Sequence, residues 1–213
     1  MFQAILFDRK TKGAPHITTN SYGFVQRPPQ HLNPLHEVWN INHVLHRKVR
    51  EVVAAGIVTF FAAGNCGGQC PQNDCHPSSI GPGASIHGSN SLAEVITVAA
   101  VNSVRQRVGY SAQGPGGFFA HKPDLSAYTH YFGNFGAGRP GGTSVQPFDN
   151  GTSAAAPLSA GVTALLLSAR PHLTPAQIKQ ILIQSAIPLA PGGWNADTGF
   201  GVINAARAFA MLT

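Results

Sequence analysis

Two short runs are apolar at nearly every position: Ile57 to Ala63 (IVTFFAA) and Glu94 to Val101 (EVITVAAV). Both are rich in β-branched residues and too short for core helices. Such runs predict strands buried on both faces, as in a parallel sheet. His16 to Phe24 (HITTNSYGF) predicts a shorter strand ending at a glycine turn. A helical period takes over between these strands. From Leu35 to Ala55, the residues Leu35, Val38, Trp39, Asn42, Leu45, Val49, Val52 and Val53 fall near one stripe, and Gly56 supplies the stop. The small and apolar residues after Ser153 predict a helix to about Arg170. Thr174 and Pro175 read as cap and first residue of another helix, and GFGVINAARAFAML as a glycine turn and a last helix. Gly109 to Arg139 has no period and reads as irregular. Strand and helix alternate, so the expected fold is α/β: three layers, a mostly parallel sheet with helices on both faces. No linker divides the chain, and residues 1–213 read as a single domain.

Composition narrows the class of protein. Of 213 residues only 10% are charged and 43% are apolar, which suits a compact, well-buried chain. The formal net charge is +6. The basic residues are scattered except for HRKVR, His46 to Arg50, which reads as a solvated helix face; no nucleic-acid partner is expected. The N-terminal residues lack the basic-then-apolar pattern of a signal peptide. The longest apolar stretch, Ala154 to Ala169, is interrupted by Pro157, Ser159 and Gly161, so no membrane partner is expected either.

The candidate chemistry lies in DNGTSAAAP, Asp149 to Pro157. Gly151 allows a sharp turn, and Ser153 stands where a helix begins, so free N–H groups and the helix dipole favour negative charge there. An acyl-transfer nucleophile needs that environment, although a plain helix cap has the same local pattern. The triplet Gly-Thr-Ser also occurs at Gly142 to Ser144, but no helix-forming run follows it, and Ser144 reads as a loop residue. Asn65, in AAGN, follows the buried strand at its carboxyl end, where open α/β sheets place ligand-binding residues. Its side-chain amide can donate to an oxyanion.

NGTSAAAP, VTFFAAGN, TTNSYG, EVITVAAV with GYSAQGP and HKPDLSA, and GFGVINAARA, in this order, resemble the subtilisin-like serine protease family (subtilases). The resemblance covers the chain from about His16 onward. It implies Ser153 as nucleophile and Asn65 as oxyanion-hole donor. Ser21, Tyr22 and Gly23 would pair with the substrate backbone, and Ala62, Ala63 and Gly64 would line the primary specificity pocket. The implied partner is a peptide or protein substrate.

The family orders its triad Asp, His, Ser. Its His-Gly-Thr and Asp-Thr-Gly or Asp-Ser-Gly motifs do not occur before Asn65, and Asp8 is the only aspartate in the first 64 residues. HGS, His87 to Ser89, precedes a strand and follows Asn65, which makes it a poor substitute. His36, His43 and His46 read as surface or partly buried helix residues, and His121 and His130 as loop residues. The expectation is therefore the C-terminal part of a serine endopeptidase, with N-terminal strands missing and the N-terminal half of the catalytic domain as a required partner. A peptide-binding pseudoprotease that keeps the fold is the alternative.

NCGGQCPQNDCHP places Cys66, Cys70, Cys75 and His76 within eleven residues. The readings are a disulfide plus one free thiol (Cys66–Cys75 or Cys70–Cys75), reduced thiols, or a structural zinc. The irregular spacing argues against zinc. No Asp-rich calcium loop is evident, and no metal or cofactor is expected.

Overall fold

The computed structural model describes residues 1–131 and 149–212. Ser144 lies outside the described residues. In chain order the elements are α1 (Phe2–Lys12), β1 (Ile17–Asn20), α2 (Val44–Ala54), β2 (Val58–Ala62), β3 (Ile96–Val101), β4 (Leu125–Tyr128), α3 (Thr152–Ala169), α4 (Pro175–Ser185) and α5 (Ala205–Ala210). The four strands form one sheet in the order β1-β2-β3-β4, with every pairing parallel.

Alternation along each strand divides the core. Val58, Phe60 and Ala62 of β2 and Ile96, Val98 and Ala100 of β3 face α3, α4 and α5. Ile57 and Phe61 face the other way and pack with Phe2 of α1 and with Val49 and Val52 of α2. The sheet is thus the middle of three layers, and β2 and β3 are buried at every position. Helix α3 has the length and apolar composition of a membrane span. It lies instead across all four strands, with Ala155, Ala156 and Leu166 in the core.

Three elements differ from the sequence expectation. The long helix expected from Leu35 is only its second half. Residues 30–43 form turns, because Asn40 Oδ1 accepts from the N–H of Asn42 and His43 caps the shortened helix by accepting from Leu45 N. Trp39 is fixed elsewhere: its indole donates to Pro28 O and its ring lies under the Arg27 guanidinium. Helix α1 was not anticipated. Its apolar stripe is short (Phe2, Ile5, Leu6), and it ends at Gly13 in the left-handed conformation, φ 72°. Strand β4 lies within the stretch read as irregular. Its neighbourhood is polar: Asp124 takes Lys122 and Lys179 as ion-pair partners and accepts from Thr97 N. Lys122 is fully buried, and burial pushes its ammonium down to about 7 while Asp124 opposes that shift. The α4 start matches expectation, with a reciprocal capping box between Thr174 and Gln177.

Candidate active site

The site lies past the carboxyl ends of β1 and β2, where the two strands separate. The separation has a definite cause. Asn90 Nδ2 donates both to Ala62 O (2.7 Å) and to Tyr22 O (3.1 Å), so one side-chain amide spans the gap the backbones leave. A Cβ at Gly23 would lie 2.9 Å from that Nδ2, so a larger residue there would have to displace the Asn90 amide. The result is a cavity of about 230 Å³. Ser21, Tyr22, Gly23, Ala62, Ala63, Gly64, Asn65 and Ser153 all line it. All eight residues singled out in the sequence therefore meet in one place.

Ser153 is in the first turn of α3. Gly151 caps that turn at φ 78°, and a Cβ there would come within 3.3 Å of Asn65 Nδ2. The Gly151 peptide is held at both ends: its N–H donates to Tyr110 Oη (2.9 Å), and its carbonyl accepts from Thr129 Oγ1 (3.0 Å). Thr152 orients Asn65. Its N–H (3.0 Å) and its hydroxyl (2.9 Å) both donate to Asn65 Oδ1, while Thr152 Oγ1 accepts from Gly64 N (3.1 Å). With Oδ1 occupied, the amide orientation is fixed, and Asn65 Nδ2 has no partner among the described residues. The Ser153 N–H lies in the unsatisfied first turn and is likewise unpartnered there. Two free N–H groups beside a serine hydroxyl can stabilise an oxyanion that forms on an attacked carbonyl.

Among the described residues that line the cavity, His87 is the only histidine, and no carboxylate side chain is among them. Among the described residues the Ser153 hydroxyl makes no hydrogen bond. His87 lines the same cavity but is 3% exposed. Its Nδ1–H donates to Ala84 O (3.2 Å), and its ring stacks on Phe24. Burial pushes His87 down to about 4, and the charges of Arg27 and His36 act in the same direction. Such an imidazole is a poor proton acceptor at neutral pH. His46 is no surface residue: it is fully buried, donates Nε2–H to Glu37 O and accepts from Ser89 Oγ at Nδ1 (2.9 Å).

Cys66 and Cys75 form a disulfide, one of the two pairings considered, and Cys70 is free and exposed. The bridged loop is tied to the site, because Asn65 O accepts from Gln72 N (2.9 Å) and both Cys66 and Gln72 line the cavity. Among the described residues no three His, Cys, Asp or Glu side chains gather as a metal site. Sequence reasoning does not identify Asn90 or Thr152 as site residues, although Thr152 stands beside Ser153, and it sets His87 aside as a base while missing that it lines the cavity.

An open parallel sheet with a serine at a helix start and a side-chain amide beside it defines a hydrolase-like α/β architecture. The model of the "Subtilase family" matches residues 4–201, and the chain belongs to that family. It is 33% identical over 160 residues to subtilisin DY of Bacillus licheniformis, covering 75% of this chain and 49% of that protein. It is 32% identical over 177 residues to a calcium-dependent protease of Trichormus variabilis, covering 72% of this chain and 24% of that protein. The chain therefore spans between a quarter and a half of these relatives. Among solved structures, fervidolysin from Fervidobacterium pennivorans superposes with a TM-score of 0.63 at 20% identity, over 98% of this chain and 28% of that one. The prenylagaramide maturation protease PagA gives 0.64 at 22% identity, over 98% and 66%. Both likenesses establish the fold.

Proposed function

We propose that this chain is the nucleophile-bearing part of a serine endopeptidase. Ser153 attacks the scissile carbonyl. Asn65 Nδ2 and the Ser153 N–H receive the oxyanion, and the acyl-enzyme forms on Ser153 Oγ. Ser21 and Gly23 offer backbone groups to an added substrate strand, and Ala62, Ala63 and Gly64 admit a sizeable side chain into the cavity. The observation that carries this reading is the Thr152–Asn65 pair, which holds an unpartnered amide beside the serine. A helix cap alone has no use for a second residue oriented in this way.

The base and its orienting carboxylate come, in this proposal, from an N-terminal half of the catalytic domain that docks on this chain. Triad members act as a unit, so the 213 residues alone turn over peptide substrates negligibly. The complete gene product reacts at Ser153 with an active-site-directed organophosphorus reagent, detected by mass spectrometry. Absence of the adduct at Ser153, or an adduct that survives Ser153→Ala, rejects the assignment. An intact fold that binds peptides yet never acylates would favour the pseudoprotease reading.

A further inference from the structure

Pro157 lies inside α3 and has no N–H. In a regular helix the N–H at 157 would bond to the carbonyl four residues back, which is that of Ser153. The proline therefore deprives the serine's own carbonyl of its helical donor. Another element supplies the replacement: Ser21 Oγ donates to Ser153 O at 3.1 Å, across 132 positions of sequence. Ser21 immediately follows β1 and opens the segment that lines the cavity. The flanks of that segment are held to the sheet, by Asn20 Nδ2 on Phe60 O and by Asn90 Nδ2 on Tyr22 O. Among the described residues, the Ser21 hydroxyl makes the hydrogen bond that joins it to α3.

We infer that Ser21 is a positioning residue whose hydroxyl stands in for the amide that Pro157 lacks, fastening the substrate-pairing segment to the turn that carries Ser153. The hydroxyl is one bond from Cβ, so this contact sets the distance between the two backbones that receive a substrate. A misplacement of about 1 Å between reacting groups lowers rates by up to roughly a hundredfold. The catalytic consequence rests on Ser153 being the nucleophile; the link itself does not.

A double-mutant cycle separates the two. In urea unfolding of the complete gene product, Ser21→Ala lowers the folding equilibrium constant about fivefold, as loss of one neutral hydrogen bond does. In a Pro157→Ala background the new N–H serves the Ser153 carbonyl, and the same substitution changes the constant by less than about twofold. Equal losses in both backgrounds overturn the link. In the complete gene product, Ser21→Ala slows acylation of Ser153 roughly tenfold, with kcat affected more than KM, and Ser21→Thr, which keeps the hydroxyl, restores the rate. An unchanged acylation rate, or failure of threonine to rescue it, overturns the positioning role. A wild-type product that does not acylate counts against the proposed activity, while the unfolding cycle still decides the link.

Discussion

Acidification should destabilise this fold, and His87 should supply a separable share of the loss. The side chain is 3% exposed and its pKa falls from 6.5 to about 4, chiefly because burial disfavours the charged ring. The unfolded chain takes up the His87 proton near pH 6.5 and the folded chain only near pH 4. Between those values the unfolded state holds more protons, so stability falls as the pH falls through the window. The full gap corresponds to roughly 3 kcal/mol, of which about 2 kcal/mol is lost between pH 6.5 and 4.5. His87→Phe keeps an aromatic ring against Phe24 and removes the titration. Urea unfolding of both chains at pH 6.5 and 4.5 isolates the term, because His46, whose pKa burial also lowers, is common to both. The wild-type chain should lose about 2 kcal/mol more than the variant. Parallel losses would show that His87 does not stay neutral in the folded state, and the argument against it as a base would go with them.

Two further outcomes follow from the site geometry. In the complete gene product, Asn65→Ala should reduce turnover roughly 10²- to 10³-fold with little change in KM, a magnitude known from subtilisin itself; a loss below about threefold would remove Asn65 from the oxyanion hole. Replacing Cys66 and Cys75 together by serine should lower unfolding stability by roughly 2.5 kcal/mol. It should also lower kcat, because the bridged loop holds the Asn65 carbonyl through Gln72; unchanged kcat would separate the bridge from the site.

Much of the scaffold was legible because its signals are local. The runs at Ile57–Ala63 and Glu94–Val101 became β2 and β3 within one or two residues, and Thr174 and Pro175 open α4 as their chemistry requires. The errors arose where tertiary contacts outweigh a local pattern. The stripe from Leu35 matches a helix, but Trp39 is more firmly held by Pro28 and Arg27 than by a helical period. Strand β4 is flanked by Lys122 and Asp124, buried charges that a strand pattern does not contain. In the site, Ser153 and Asn65 stand in recognisable motifs. Asn90 reaches the cavity only because the chain folds back, and nothing in its own neighbourhood announces it; the HGS stretch draws the eye to His87 as a base but not as a buried wall of the cavity. In the sequence Pro157 only interrupts an apolar stretch; its missing N–H acquires meaning only beside Ser21.

The Asn90 amide has a consequence for how such a cleft can diversify. It is the spacer between two strand ends, and it belongs to neither of them. A shorter or longer side chain at 90 alters the bore of the cavity while leaving Ser153, Thr152 and Asn65 untouched. Under the proposed activity, substrate choice and bond-breaking chemistry would then rest on different residues, and selection could adjust the first without reopening the second.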